Sequence, residues 1–172
     1  GRFYDPIRPT VEPFGFETPL ELMQSRSTAI MAFKRSIQKA NIFVFTLGLC
    51  ERWMSIKSGL EFAHAPGVSS GQFNPKKHKF ECLYWPELRE ALANSLDIIQ
   101  SINPSIKFIL TVSPVPLTAT YKNQNVLVST IEAKSNLRAV AGFLAKNRAN
   151  VEYFPSFEVI SSFPYRGVFY EP

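Results

Sequence analysis

The apolar residues of this chain fall into two kinds of run: stripes at helical spacing and short unbroken blocks. Residues 1–19 carry four prolines and no sustained period, so they read as an extended lead-in. Thr18, Pro19 and Glu21 then supply an N-cap, a first-turn proline and the acid of a capping box, which predicts a helix start. Leu22, Ile30, Phe33 and Ile37 form its stripe, and the helix should close near residues 39–41. Ile42 to Leu47 is a continuous apolar, β-branched and aromatic block ended by Gly48. Such a block predicts a strand buried on both faces, as in the centre of a helix-covered parallel sheet. Residues 54–85 show no clear period and read as a long excursion. Pro86 to Ile102 carries a second helical stripe (Leu88, Leu92, Leu96, Ile99), stopped by Asn103-Pro104. Lys107 to Ser113 is a second buried strand. Residues 117–128 read as a polar loop, Ser129 to Lys146 as a third helix and Asn150 to Pro155 as a third, shorter strand. Helices alternating with strands predict βαβ crossovers and a parallel sheet with helices on both sides, a three-layer α/β/α arrangement.

Composition narrows this picture only a little. The 172 residues suit one domain, with 45% hydrophobic and 19% charged residues and a net charge of +5. This excludes an intrinsically disordered chain. No apolar run approaches the length of a membrane-spanning helix, so no membrane association is expected. Gly1 to Pro13 has no apolar leader and neither end carries a capping or tail signal, so the sequence reads as an internal piece of a longer protein. Two cysteines without framework spacing fit a reducing cytosol. The one dense basic run, Lys76 to Lys79, reads as a solvated loop; a nucleic-acid partner would want more such runs on one face.

Chemistry in an open parallel sheet collects at the carboxyl ends of the strands. Three segments belong there: Gly48 to Trp53, Ser113 to Pro116, and Pro155 to Glu158. A Ser/His/acid triad within the chain is disfavoured. Its histidines are His64 and His78, both in the middle excursion, its aspartates are Asp5 and Asp97, and no G-x-S-x-G elbow occurs. Ser113 could be a strand-end nucleophile, but the proline after it favours a structural turn. Cys50, His64, His78 and Cys82 lack the spacing of a metal site, so no metal or other cofactor is expected. Cys50, after a strand-end glycine, is a better reactive-thiol candidate than Cys82, against the alternative of an inert buried thiol. No P-loop and no G-x-G-x-x-G is present.

Four blocks in order carry a family resemblance. Thr46-Leu47-Gly48-Leu49-Cys50-Glu51-Arg52-Trp53 resembles the T-L-G-L-T-E-x-W block of the GSCFA family. Thr111 to Leu117 resembles its T-V-S-P-V-P-L block, Lys134 to Arg138 its S-K-x-x-L-R helix with a one-residue ambiguity, and Tyr153 to Glu158 its Y-F-P-S-Y-E block. Arg8-Pro9-Thr10 is similar to the lead-in before them. The family is similar to the SGNH (GDSL) hydrolases, which are doubly wound α/β domains with a serine nucleophile and a downstream Asp-x-x-His pair. The resemblance implies an SGNH/flavodoxin-like fold that is incomplete here. Residues 1–172 would be the middle and C-terminal part of a larger domain, without the Gly-Ser-Cys-Phe-Ala block thought to hold the nucleophile and without the Asp/His block.

By the same resemblance Gly48 and Cys50 fall in the oxyanion loop, with Cys50 where those hydrolases place Asn. The thiol is a weak donor, so a backbone N–H does that work or the oxyanion function has changed. Glu51, Trp53, Ser113, Lys134, Arg138 and Glu158 are expected to line the substrate pocket. Trp53 could equally be a core residue. Lys134 and Arg138, four apart on one helical face, would be solvated or paired with Glu158 or Glu51, or else contact an anionic substrate. The implied function is an ester hydrolase or O-acyltransferase acting on a small-molecule or glycan ester, carbohydrate esters being an analogy. The alternative is a non-catalytic glycan- or protein-binding module on the same fold. If the first strand of the sheet lies outside the sequence, Ile42 to Leu47 becomes an apolar edge through which the chain self-associates.

Overall fold

In the computed structural model, which describes residues 1–69 and 71–162, the elements run α1 (Pro19–Lys39), β1 (Ile42–Leu47), β2 (Glu51–Ser55), β3 (Glu61–Phe62) and β4 (His78–Cys82). They continue with α2 (Trp85–Ile102), β5 (Lys107–Val112), α3 (Val126–Asn147), β6 (Val151–Phe154) and α4 (Ser156–Ser161). These elements form two compact units, Gly1–Ser36 with Glu51–Cys82 and Ile37–Cys50 with Leu83–Pro172.

The second unit holds a parallel sheet in the order β1-β5-β6. Phe43 pairs with Phe108, Phe45 with Leu110 and Leu47 with Val112; on the other edge of β5, Phe108 pairs with Val151 and Leu110 with Tyr153. Partners in a parallel ladder share a face, so these residues make one apolar surface. Phe108, Leu110, Val112 and Val151 are fully buried on it. Helix α3 packs on β5 and β6, α2 packs on α3, and α4 packs on β5. Leu88, Leu92, Leu96 and Ile99 of α2, with Leu137, Val140, Ala141 and Leu144 of α3, complete the core. Each buried Leu, Ile or Val here contributes roughly 1.5–3 kcal/mol of transfer free energy. The expected class holds: a mixed α/β fold with a helix-flanked parallel sheet, consistent with a three-layer α/β/α order. Among the described residues, no helix is long and apolar enough to cross a membrane.

Several expectations are corrected in this unit. Strand β5, not β1, is central, and β1 is buried on one face only: Ile42 is exposed and Val44 is 61% exposed. Continuous hydrophobicity therefore did not mean burial on both sides. The loop at 117–128 is shorter than its polarity implied, because Asn125 caps α3 by accepting the Leu127 N–H at 2.8 Å. Helix α4 was not anticipated. Asn103, read only as a helix stop, also donates to the Ile37 and Ala40 carbonyls in the last turn of α1, satisfying that helix end.

The first unit contains what the sequence left as a shapeless excursion: a three-stranded antiparallel sheet in the order β3-β2-β4. Its short strands alternate too briefly to show a period. At the start of α1 the capping box forms as expected, with Thr18 Oγ1 accepting the Glu21 N–H and Glu21 Oε2 accepting the Thr18 N–H. The α1 stripe is corrected: Ile30 and Phe33 are exposed, and Ile37 alone of the four is buried.

The lead-in is organised by a buried acid. The Asp5 side chain is 0% exposed and pairs with Arg26 at 2.7 Å and Arg8 at 2.9 Å, while its Oδ1 accepts the Ile7 N–H. Burial alone would raise this carboxyl. The bonds from Arg26, Ile7 and Arg8 outweigh it and hold the group at about 2 instead of 3.8. A depressed acid stabilises the fold above its unfolded value and loses that contribution as pH falls through the folded value. Asp5→Asn is therefore expected to cost on the order of 2 kcal/mol at neutral pH. The gap from wild type, read by urea unfolding, should close between about pH 4 and pH 2.

Strand β1 is hydrogen-bonded on one side only among the described residues. Residues 1–172 are expected to associate through it in a concentration-dependent way, and Val44→Lys to shift light scattering toward monomer. A wild-type chain that stays monomeric, without exposed apolar surface, would contradict this.

Candidate site at the strand ends

The site is built by backbone turning at the carboxyl ends of β1, β5 and β6. At β1 the chain leaves the sheet through Gly48, and the next two residues face opposite ways: Leu49 is exposed and Cys50 is 2% exposed. Three hydrogen bonds hold this loop. Lys134 Nζ donates to the Gly48 carbonyl at 2.9 Å, Cys50 Sγ–H donates to the Ala133 carbonyl at 3.4 Å, and the Leu83 N–H donates to the Cys50 carbonyl at 2.8 Å. Two consecutive residues of α3 thus staple the loop to the helix.

Lys134 departs most from its expected setting. It is neither solvated nor paired with Glu158 or Glu51; it is 1% exposed and forms no ion pair among the described residues. Burial pushes its ammonium below the ordinary lysine value, and the nearby Cys50 offsets this only in part. The sequence placed it four residues from a conventional surface arginine, and nothing in that spacing distinguishes the two.

Arg138 meets the blander expectation. Its Nε donates to Glu158 Oε1, its guanidinium lies 4.0 Å from the Tyr153 ring centre, and the Tyr153 hydroxyl donates to Glu158 Oε2 at 2.7 Å. Burial would raise the Glu158 carboxyl, but the bonds from Tyr153 and Arg138 hold it below the usual range. Burial, together with the Glu158 bond and charge, drives the Tyr153 phenol far above its ordinary value. Tyr153 was quoted in a block but not singled out; its partners become visible only when β6 and α4 meet α3.

Ser113 ends β5 as a turn residue. Its N–H donates to the Leu47 carbonyl at 2.9 Å, and its Oγ accepts the Val115 N–H at 3.2 Å. Ser156, the first residue of α4, bonds Thr111 Oγ1 and donates to the Val112 carbonyl at 2.8 Å, which fixes α4 against the end of β5.

Glu51 and Trp53 belong to the other unit. Glu51 pairs with Cys82 across β2 and β4. Trp53 lies edge-on to Phe73 at 5.4 Å and tilted against Phe80 at 5.3 Å, an aromatic cluster that suits a core residue. The same unit holds a cavity of about 210 Å³ between Tyr4, Phe62, His64, Ser69, Gln72 and His78. His64 Nδ1 bonds Ser69 Oγ and His78 Nδ1 accepts the Asn74 N–H at 3.1 Å. Among the described residues, no group of three or more His, Cys, Asp or Glu could hold a metal ion.

The model of the GSCFA family matches residues 10–172. No curated protein and no solved structure matches the chain.

Replacing Glu158 by Gln removes the negative charge that opposes the phenolate. The Tyr153 hydroxyl should then titrate at lower pH, though still above a free tyrosine because burial remains. Titration of the Tyr153 ring resonances checks this, and no movement would detach Glu158 from the cluster.

Proposed function

The chain belongs to the GSCFA family, and we propose from that membership an SGNH-like ester hydrolase or O-acyltransferase acting on a small-molecule or carbohydrate ester. The observation that carries the finer reading is the gathering of Gly48, Ser113 and Ser156 at the carboxyl ends of one parallel sheet, the position where open α/β sheets carry their ligands.

The chemistry follows from the residue types. A serine hydroxyl attacks the ester carbonyl carbon, its proton passes to a base, and the carbonyl oxygen becomes an oxyanion. Collapse expels the alcohol, which takes up the proton, and leaves an acyl-serine. Water or an acceptor hydroxyl then repeats the sequence and frees the serine. The family's Gly-Ser-Cys-Phe-Ala block, to which we assign that serine, does not occur in residues 1–172. Within this chain we assign oxyanion stabilisation to the Gly48–Cys50 loop. Its donors are backbone N–H groups, because the Cys50 thiol is engaged with the Ala133 carbonyl. Losing one oxyanion donor typically costs about 3–4 kcal/mol of transition-state stabilisation. Ser113, Arg138 and Glu158 line the crevice without reacting. No metal or cofactor is required by this chemistry.

The second reading, a binding module for glycan or protein, is favoured by one observation: Cys50, standing where an amide donor would serve the oxyanion, turns its side chain into α3.

Fluorophosphonate labelling read by intact mass separates the two. On this reading the whole protein that carries residues 1–172 gains one adduct, at the serine assigned above, and residues 1–172 alone gain none. An adduct on residues 1–172 would make a local serine such as Ser113 reactive and move the nucleophile. No adduct on either would put the binding module ahead.

A further inference from the structure

We propose that Lys134 is a positioning residue that aims the Leu49 N–H into the strand-end crevice as an oxyanion donor. The inference rests on the hydrolase reading above and adds to it the identity of the donor and of the group that orients it.

The first support is the burial of Lys134. An ammonium that is 1% exposed and bonded to one carbonyl is an expensive way to fill space. Desolvating a charge costs several kcal/mol unless a partner compensates, and an apolar side chain of similar length would pack there at lower cost. The charge therefore needs a use that packing does not supply, and the group it touches is the carbonyl of the strand-end glycine.

The second support is peptide geometry. The bond between Gly48 and Leu49 is trans, as are all those among the described residues. In a planar trans peptide the C=O and the following N–H point in opposite directions. Drawing the Gly48 oxygen inward onto Lys134 therefore turns the Leu49 hydrogen outward. Leu49 is exposed, and its N–H has no acceptor among the described residues. The next peptide is independently held, with the Cys50 thiol on the Ala133 carbonyl and the Cys50 carbonyl on the Leu83 N–H. The donor is thus fixed on both sides before any substrate arrives, which is the preorganisation that oxyanion stabilisation needs.

The third support is electrostatic. A cation bonded to the peptide oxygen polarises the peptide and strengthens its N–H as a donor. Lys134 never touches the reacting atoms; it acts through one peptide group.

The test uses the whole protein that carries this chain and its variants Lys134→Met and Lys134→Arg. Lys134→Met keeps the length and removes the charge; Lys134→Arg keeps a cationic donor. Amide NMR should show the Leu49 resonance shifting in Lys134→Met and moving back in Lys134→Arg, with Leu96 and Val140 unchanged as a control for folding. Hydrolysis of p-nitrophenyl acetate by Lys134→Met should show kcat reduced about 10- to 100-fold with KM changed less than about threefold, and Lys134→Arg should recover part of the loss. An unmoved Leu49 amide overturns the positioning role whatever the activity. A moved amide with unchanged kcat overturns the donor assignment and leaves the hydrolase reading intact. A wild-type protein that neither hydrolyses the ester nor takes a fluorophosphonate overturns the hydrolase reading and the donor assignment with it, the amide shift then reporting only the Lys134–Gly48 bond.

Discussion

Strand β5 is hydrogen-bonded on both edges, and the second unit is organised around that constraint. Its backbone is paired by β1 on one side and β6 on the other, while Phe108, Leu110 and Val112 fill the core on one face. Register follows from the side-chain period: a slip of one residue would turn those three side chains onto the face where Val44 and Phe154 are exposed. With the register set, the three strand ends come together at one edge of the sheet. The Ser113 N–H on the Leu47 carbonyl and Ser156 on the Val112 carbonyl then tie each outgoing loop to the neighbouring strand, β5 to β1 and β6 to β5.

Helix α3 brings charged side chains to this frame. Lys134 and Arg138 lie one turn apart, yet one reaches the loop after β1 and the other the acid of α4. Their energetics differ accordingly. The Arg138–Glu158 contact is about 40% exposed on each side, so water screens much of it and the tyrosine stacked on the guanidinium does as much to fix its geometry. Lys134 has no such screening. A buried cation on a single carbonyl is tolerated only where the surrounding structure holds it, and the staple of α3 to residues 48–50 supplies that hold.

The first unit solves a different problem. A lead-in rich in proline has few backbone hydrogen bonds to offer, and it closes on itself through a Phe3–Phe16 bridge and the carboxylate of Asp5. That acid accepts from two arginine side chains and from the Ile7 and Arg8 N–H groups, so its burial is compensated and its charge retained. The small sheet of β2, β3 and β4 carries its own aromatic cluster around Trp53.

The sequence by itself determined the long, periodic elements. The capping box at Thr18, the stripe from Leu88 to Ile99 and the apolar blocks at residues 42–47 and 107–112 each carry a local signal strong enough to name the element. The helix–strand alternation, with the blocks shared with the GSCFA family, carried the class. What the sequence could not determine was which face of β1 is buried, that residues 51–82 fold into a sheet, or that Lys134 is inside and Arg138 outside. Each of these depends on a partner far along the chain: β5 for β1, β4 for β2, Gly48 for Lys134. Local spacing reports what a segment can present. Only tertiary packing decides what it meets, because the cost of burying a charge or baring a strand is set by the groups that close over it.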